Sequence, residues 1–144
     1  MDFQKFKQAV IDAAEARGIE EYEIYYQSEA SSSVTAFNAQ ADQFSSSVEG
    51  GVCFRCIANG KMGYAATEHL SAEQAVSIVE KALSNAAVLE TEEEVFLNPG
   101  GLSYAPVRPE PYALPEAGQL IDQVVLAGQK LKAADPMVTD NYSV

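Results

Sequence analysis

Apolar residues recur at steps of three and four at the start of the chain. Phe3, Phe6, Val10, Ala13 and Ala14 share one face of a helix, which Asp2 is placed to cap and Gly18 to end. The period then falls to two. Tyr22, Ile24 and Tyr26 would lie on one side of a strand running to Phe37, with a bend or bulge at Ser31-Ser32-Ser33 and a turn from Asn38. A second strand is predicted from Gln43 to Val48, with Phe44, Ser46 and Val48 on one face and Gly50-Gly51 as its break. Val52 to Ala58 reads as a third strand. Asn59-Gly60 is the residue pair preferred in a two-residue type I′ turn, so Lys61 to Thr67 returns as a fourth.

Ser71 and Gln74 have capping-box spacing, and Val76, Val79, Leu83 and Ala86 mark the buried stripe of a second helix. Between Val95 and Leu114, Pro99, Gly100, Gly101, Pro106, Pro109 and Pro111 oppose regular structure and suggest a linker or surface arm. Pro115 suits the first turn of a third helix with Leu120, Ile121, Val124 and Leu131 on its apolar face, ended by Asp135-Pro136. The expected class is α+β: a four-stranded antiparallel meander at about residues 22–67, with helices at about 2–17, 71–88 and 115–134. The expected organisation is a 1–90 module, a 91–114 arm, a 115–135 helix and, at 136–144, the truncated start of a following domain.

Composition narrows the partners. With 47% hydrophobic residues the chain can bury a core, and no apolar run reaches the roughly 18 residues of a membrane span. The formal net charge is −12 and the nine basic residues form no stripe. Phosphate neutralisation supplies most non-specific nucleic-acid affinity, so direct contact with DNA or RNA is not expected. Anionic membranes are disfavoured on the same ground. The start of the chain has no secretory pattern, which makes the cytoplasm the expected location.

No residue constellation completes a catalytic or metal site. Cys53-Phe54-Arg55-Cys56 has CxxC spacing but falls inside a predicted strand. Its two thiols would point to opposite faces with Cα atoms about 10 Å apart, beyond disulfide reach. Zinc needs further ligands, and the chain offers no other cysteine and a single histidine, His69. His69 reads as a turn residue ahead of the second helix. Serines are abundant without a G-x-S-x-G elbow, and Gly50, Gly51, Gly60 and Gly63 fit no phosphate loop. Glu90, Glu92, Glu93 and Glu94 read as a solvated run. Tyr22, Tyr25, Tyr26 and Tyr64 either line a peptide-binding surface or pack as ordinary sheet tyrosines.

The run Gly51-Val52-Cys53-Phe54-Arg55-Cys56-Ile57, followed by Asn59-Gly60-Lys61-Met62-Gly63-Tyr64-Ala65-Ala66-Thr67, resembles the N-terminal domain of the TldD/PmbA family. The motif residues are Gly51, Arg55, Gly60, Gly63 and Tyr64, with Asn59, Gly60 and Gly63 as its turn residues. Tyr22-Glu23-Ile24-Tyr25, the Phe37-Asn38 turn, the helix start at Leu70-Ser71, the Pro111 to Pro115 arm and the Asp135-Pro136 break fall in matching order.

The resemblance implies a much longer cytosolic parent linked to proteolysis and peptide-antibiotic maturation, with members labelled modulators of DNA gyrase. The TldD type resembles a zinc metallopeptidase with an HExxxH helix; the PmbA type lacks that helix and partners it. No HExxxH occurs here, so no catalytic residue and no cofactor are carried over, and zinc would belong to the parent if it is of TldD type. The lead-in before the first strand looks more like the PmbA type. The implied partners are a second subunit, as homodimer or TldD/PmbA-type heterodimer, and a peptide or unfolded protein. The implied role is a non-catalytic domain that walls a substrate chamber or makes subunit contacts. The alternative is an interaction module whose parent cleaves nothing.

Overall fold

The computed structural model describes residues 1–91, 93–101, 103–107 and 113–139. Six elements follow in the order α1 (Phe3–Glu15), β1 (Tyr22–Phe37), β2 (Gln40–Ala58), β3 (Lys61–Thr67), α2 (Ala72–Ala87) and α3 (Ala117–Ala134). The strands form one sheet in the order β1-β2-β3.

The sheet has three strands, which corrects the expected four-stranded meander. The segments expected as a second and a third strand are one, because β2 runs through Gly50-Gly51 without a break. At these positions the missing side chains leave room for neighbouring backbone. A Cβ on Gly50 would lie 2.5 Å from the Gln27 carbonyl oxygen, and one on Gly51 would lie 2.9 Å from that of Thr67. Glycine inside a strand can mark close backbone approach rather than an end. β1 likewise crosses Ser31-Ser32-Ser33 as continuous strand.

Local chemistry sets the element ends. The Asp2 carboxylate accepts the Lys5 N–H at 2.9 Å and opens α1. This backbone hydrogen bond holds the Asp2 carboxyl below its ordinary range. Gly18 closes the helix at φ +68°, while the Ile19 N–H reaches the Ala14 carbonyl. Ser71 Oγ accepts the Gln74 N–H at 3.2 Å and caps α2. Both hairpin turns put two residues at positive φ, Asn38 and Ala39 in one and Asn59 and Gly60 in the other, as a type I′ turn requires.

By contacts the chain divides into two units. One comprises Met1–Ser28 with Gly50–Tyr104, the other Glu29–Glu49 with Ala105–Val144. The first holds the main core, in which α1 packs on α2 and α2 on β3. Phe6, Val10, Val52, Phe54, Cys56, Ile78 and Val79 are its largest fully buried side chains. The buried stripe of α2 is Ala75, Ile78, Val79, Ala82 and Ala86. It is rotated from the expected stripe, with Val76 exposed and Leu83 half-buried. Gly63 accounts for the rotation. A Cβ there would overlap the Ala82 carbonyl and lie 2.8 Å from the Ala86 methyl, so small residues face small residues and the helix backbone closes onto β3.

The second unit joins α3 to the outer ribbon of β1 and β2. Val34 and Ala36 are its buried ribbon residues, Gly128 is buried on α3, and Lys132 Nζ donates to Asn38 Oδ1 at 2.6 Å. Ser31 and Ser47 share a hydroxyl hydrogen bond across the ribbon at 3.0 Å, and Ser32 Oγ donates to Ser46 Oγ at 3.3 Å.

Candidate functional site

Alternation along β2 sorts the first unit's sheet into two faces. Val52, Phe54 and Cys56 point to the helices and are buried, whereas Cys53, Arg55 and Ile57 point away and are half-buried. The register pairs Cys53 with Ala66, Arg55 with Tyr64 and Ile57 with Met62, so these β3 residues share the outward face. On β1, Tyr22 and Ile24 pack against the core, which places Glu23 and Tyr25 outward.

One ion pair centres this face. Arg55 Nη2 donates to Glu23 Oε1 at 2.7 Å, with the two side chains 43% and 37% exposed. At that exposure the pair fixes orientation more than it stabilises, at up to about 1 kcal/mol. Tyr64, opposite Arg55, is 63% exposed and Tyr25 is 58% exposed. The Arg55–Glu23 pair, Tyr64 opposite Arg55, Tyr25 on the outward side of β1 and half-buried Ile57 and Met62 together make a face that is part apolar and part polar. Such a surface suits polypeptide contact, where aromatic residues and arginine dominate.

The sequence-selected tyrosines divide between packing and exposure. Tyr26 stacks on Phe3 with ring centroids 4.2 Å apart, and Tyr22 stacks on Phe54 at 5.8 Å. Tyr25 is left to the surface, where its hydroxyl donates to Gln27 Oε1 at 3.4 Å. Of the motif residues, Arg55 and Tyr64 meet on the outward face, Gly63 lies against α2, Gly51 abuts Thr67, and Asn59 and Gly60 form the hairpin turn. Sequence reasoning does not single out Glu23. Its signal, an acid near the start of β1, becomes informative only once the pairing of β1 with β2 sets it beside Arg55.

The other candidate groups lie apart. Cys53 is half-buried outward and Cys56 buried inward, both as free thiols. Burial pushes both thiols up; a Gly63 N–H opposes this in part at Cys56, and Arg55 at Cys53. His69 is exposed, and its backbone N–H donates to Thr67 Oγ1 at 3.1 Å. Glu90, Glu93 and Glu94 are exposed, while Glu92 lies outside the described residues, as do Pro109, Pro111 and 140–144. A shallow groove of about 360 Å³ is lined by Ala58, Asn59, Lys61, Leu83, Ala86 and Ala87, with the Lys61 ammonium on the Leu89 carbonyl. Among the described residues no group of three or more His, Cys, Asp or Glu could hold a metal ion. These residues do not fit the zinc centre that the family resemblance associates with the TldD type. No described helix is long and apolar enough to cross a membrane.

Residues 22–86 match the family model described as PmbA/TldA metallopeptidase domain 1. No curated protein matches the sequence. Among solved structures, a Thermotoga maritima protein named for modulation of a DNA gyrase superposes with a TM-score of 0.72 at 24% identity. That alignment covers 94% of this chain and 30% of the other. TldE from Thermococcus kodakarensis superposes at 0.76 with 16% identity, over 90% of this chain and 29% of that one. A Bacteroides thetaiotaomicron protein, also named for gyrase modulation, gives 0.60 at 18% identity, over 74% and 24%. At these identities the structures establish a shared fold, and the chain spans less than a third of each of these proteins. The motif run of β2 and β3, the matched segment and the shared fold coincide: across residues 22–86 the chain is similar to the first domain of the TldD/PmbA family.

Proposed function

We propose that the chain is the non-catalytic first domain of a TldD/PmbA-type protein engaged in proteolysis or peptide maturation. Its outward sheet face would wall the substrate space or contact a second subunit. The observation that carries this reading is the Glu23–Arg55 pair, with exposed Tyr64 opposite Arg55 and exposed Tyr25 on the same side of the sheet, the side opposite its helices. A sheet needs only one covered face to fold, so a half-apolar second face can serve binding.

Whatever zinc chemistry the parent supplies, the described residues hold no ligand set for it. The domain's contribution is shape, with an aromatic and guanidinium surface for a peptide or a protein neighbour.

The test substitutes Arg55→Ala and Tyr64→Ala in the longer protein and measures peptide turnover and subunit assembly. Both side chains are substantially exposed, so folding should survive. A loss of about tenfold in either property is expected from removing a contact worth about 1.4 kcal/mol. Unchanged turnover together with unchanged assembly would refute the proposal.

A further inference from the structure

We infer that Asn59 is a site of spontaneous deamidation, and that the folded turn between β2 and β3 is the gate that holds the reaction back. The inference is independent of the proposed function and concerns this hairpin alone.

Closure of an asparagine side chain onto the next residue needs a following nitrogen that is unshielded, and water. Asn59 is the one asparagine followed by glycine; Asn38 and Asn85 precede alanine, Asn98 precedes proline and Asn141 precedes tyrosine. Glycine brings no Cβ to shield its own nitrogen. Asn59 and Gly60 are both exposed at the hairpin tip. Apart from its chain neighbours, nothing lies within 4 Å of where a Gly60 Cβ would stand. In the outer turn, by contrast, the Asn38 carboxamide is held by Lys132 Nζ at 2.6 Å.

The chemistry consumes only water. The Gly60 nitrogen attacks Asn59 Cγ, the Cγ–Nδ2 bond breaks, and ammonia departs with the Gly60 amide proton, leaving a five-membered imide. Water then opens the imide at one of its two carbonyls. Cleavage at Cγ gives aspartate on an unchanged main chain. Cleavage at the α-carbonyl gives isoaspartate, in which Cβ and Cγ have entered the backbone.

The fold decides when this happens. Asn59 at φ +51° and Gly60 at φ +72° are the central pair of a type I′ turn, in which ψ of the first residue lies near about +30°. There Asn59 Cβ and the Gly60 nitrogen stand almost opposite across the Cα–C bond. The ring needs them eclipsed, a rotation of about 150° toward the ψ of a type II′ turn. Flipping the Asn59–Gly60 peptide or parting the strands supplies that rotation, and either one abandons the turn. Isoaspartate then bars the return. Its loop is one backbone atom longer than the two-residue turn that closes Ala58 on Lys61, so the pairs beyond it, Arg55 with Tyr64 among them, lose the turn that sets their register.

The test is peptide mapping by mass spectrometry on the chain held in mildly alkaline buffer, with and without urea. In urea Asn59 should exchange amide for acid while Asn38 and Asn85 stay amides, at a rate that rises with pH because the attacking nitrogen must lose its proton. The folded chain should react at least about tenfold more slowly, the factor for a turn-opening free energy of about 1.4 kcal/mol. In urea the variant Asn59→Gln, whose closure requires a six-membered ring, should stay unmodified. Refolded from urea, the aspartate product should melt near the unmodified chain, since Asp-Gly suits the same turn. The isoaspartate product should melt at least about 2 °C lower. Asn59 intact in urea, equal rates with and without urea, Asn38 reacting in step with Asn59, or an isoaspartate form as stable as the aspartate form would each overturn the inference. None of these outcomes bears on peptide turnover or subunit assembly in the longer protein, which decide the proposed function.

Discussion

Gly63 is where sequence, packing and motif meet in one atom. The absent Cβ lets the Ala82 carbonyl of α2 sit against β3, and the obstacle to a side chain is backbone, which cannot rotate away. Gly63→Ala should therefore cost about 2–3 kcal/mol through overpacking, read as a lowered urea midpoint at unchanged slope. Cys56 shares this interior. Its thiol is fully buried and raised above its ordinary value of 9.0 chiefly by burial. Above pH 9 the unfolded chain releases that proton while the folded one retains it. The folded state then binds more protons, and stability should fall as pH rises through and beyond that value. A Cys56→Ser variant should show a shallower alkaline decline, and iodoacetamide should modify Cys56 only once denaturant opens the core.

At the level of elements, the two hairpin turns share a geometry but not a sequence. Asn59-Gly60 has glycine at its second left-handed position, whereas the outer turn has Ala39 there at φ +56°. An alanine in that region is strained by about 1 kcal/mol or more, so Ala39→Gly should stabilise the chain by about 0.5–1 kcal/mol after the entropy of the new glycine is counted. Thermal unfolding of the two proteins decides it. The same contrast shows what was legible beforehand. Asn-Gly advertises its turn, and periodicity with caps located all three helices. The Gly50-Gly51 pair misled, because glycine signals both a strand end and a close approach. Only the positions of Gln27 and Thr67 distinguish the two. The rotated stripe of α2 was hidden for a related reason, since alanines carry little hydrophobic signal until a glycine on the facing strand makes them the closest-packed residues. The Arg55–Glu23 pair depends on strand register, which no local pattern encodes.

For the molecule as a whole, charge is the dominant fact. A net −12 on 144 residues repels itself when the chain is compact. Raising salt from about 20 to 300 mM should lift the melting temperature by about 2–5 °C through screening. The same charge predicts no salt-sensitive retardation of duplex DNA in a gel-shift assay, although two proteins of similar fold are named for gyrase. A retardation that faded with salt would contradict the prediction.

The two-residue turn between β2 and β3 has a consequence best expressed in insertions and deletions. Asn59-Gly60 locks Ala58 against Lys61, and every pair beyond it follows, down to Val52 with Thr67. Side chains alternate, so a slip of one residue would carry Tyr64 into the seat of Gly63, where even a methyl group does not fit. Length changes at this hairpin must therefore loop out beyond the ladder without entering it. Among natural variants of this domain, gaps should cluster at the turn and stop abruptly where the paired strands begin.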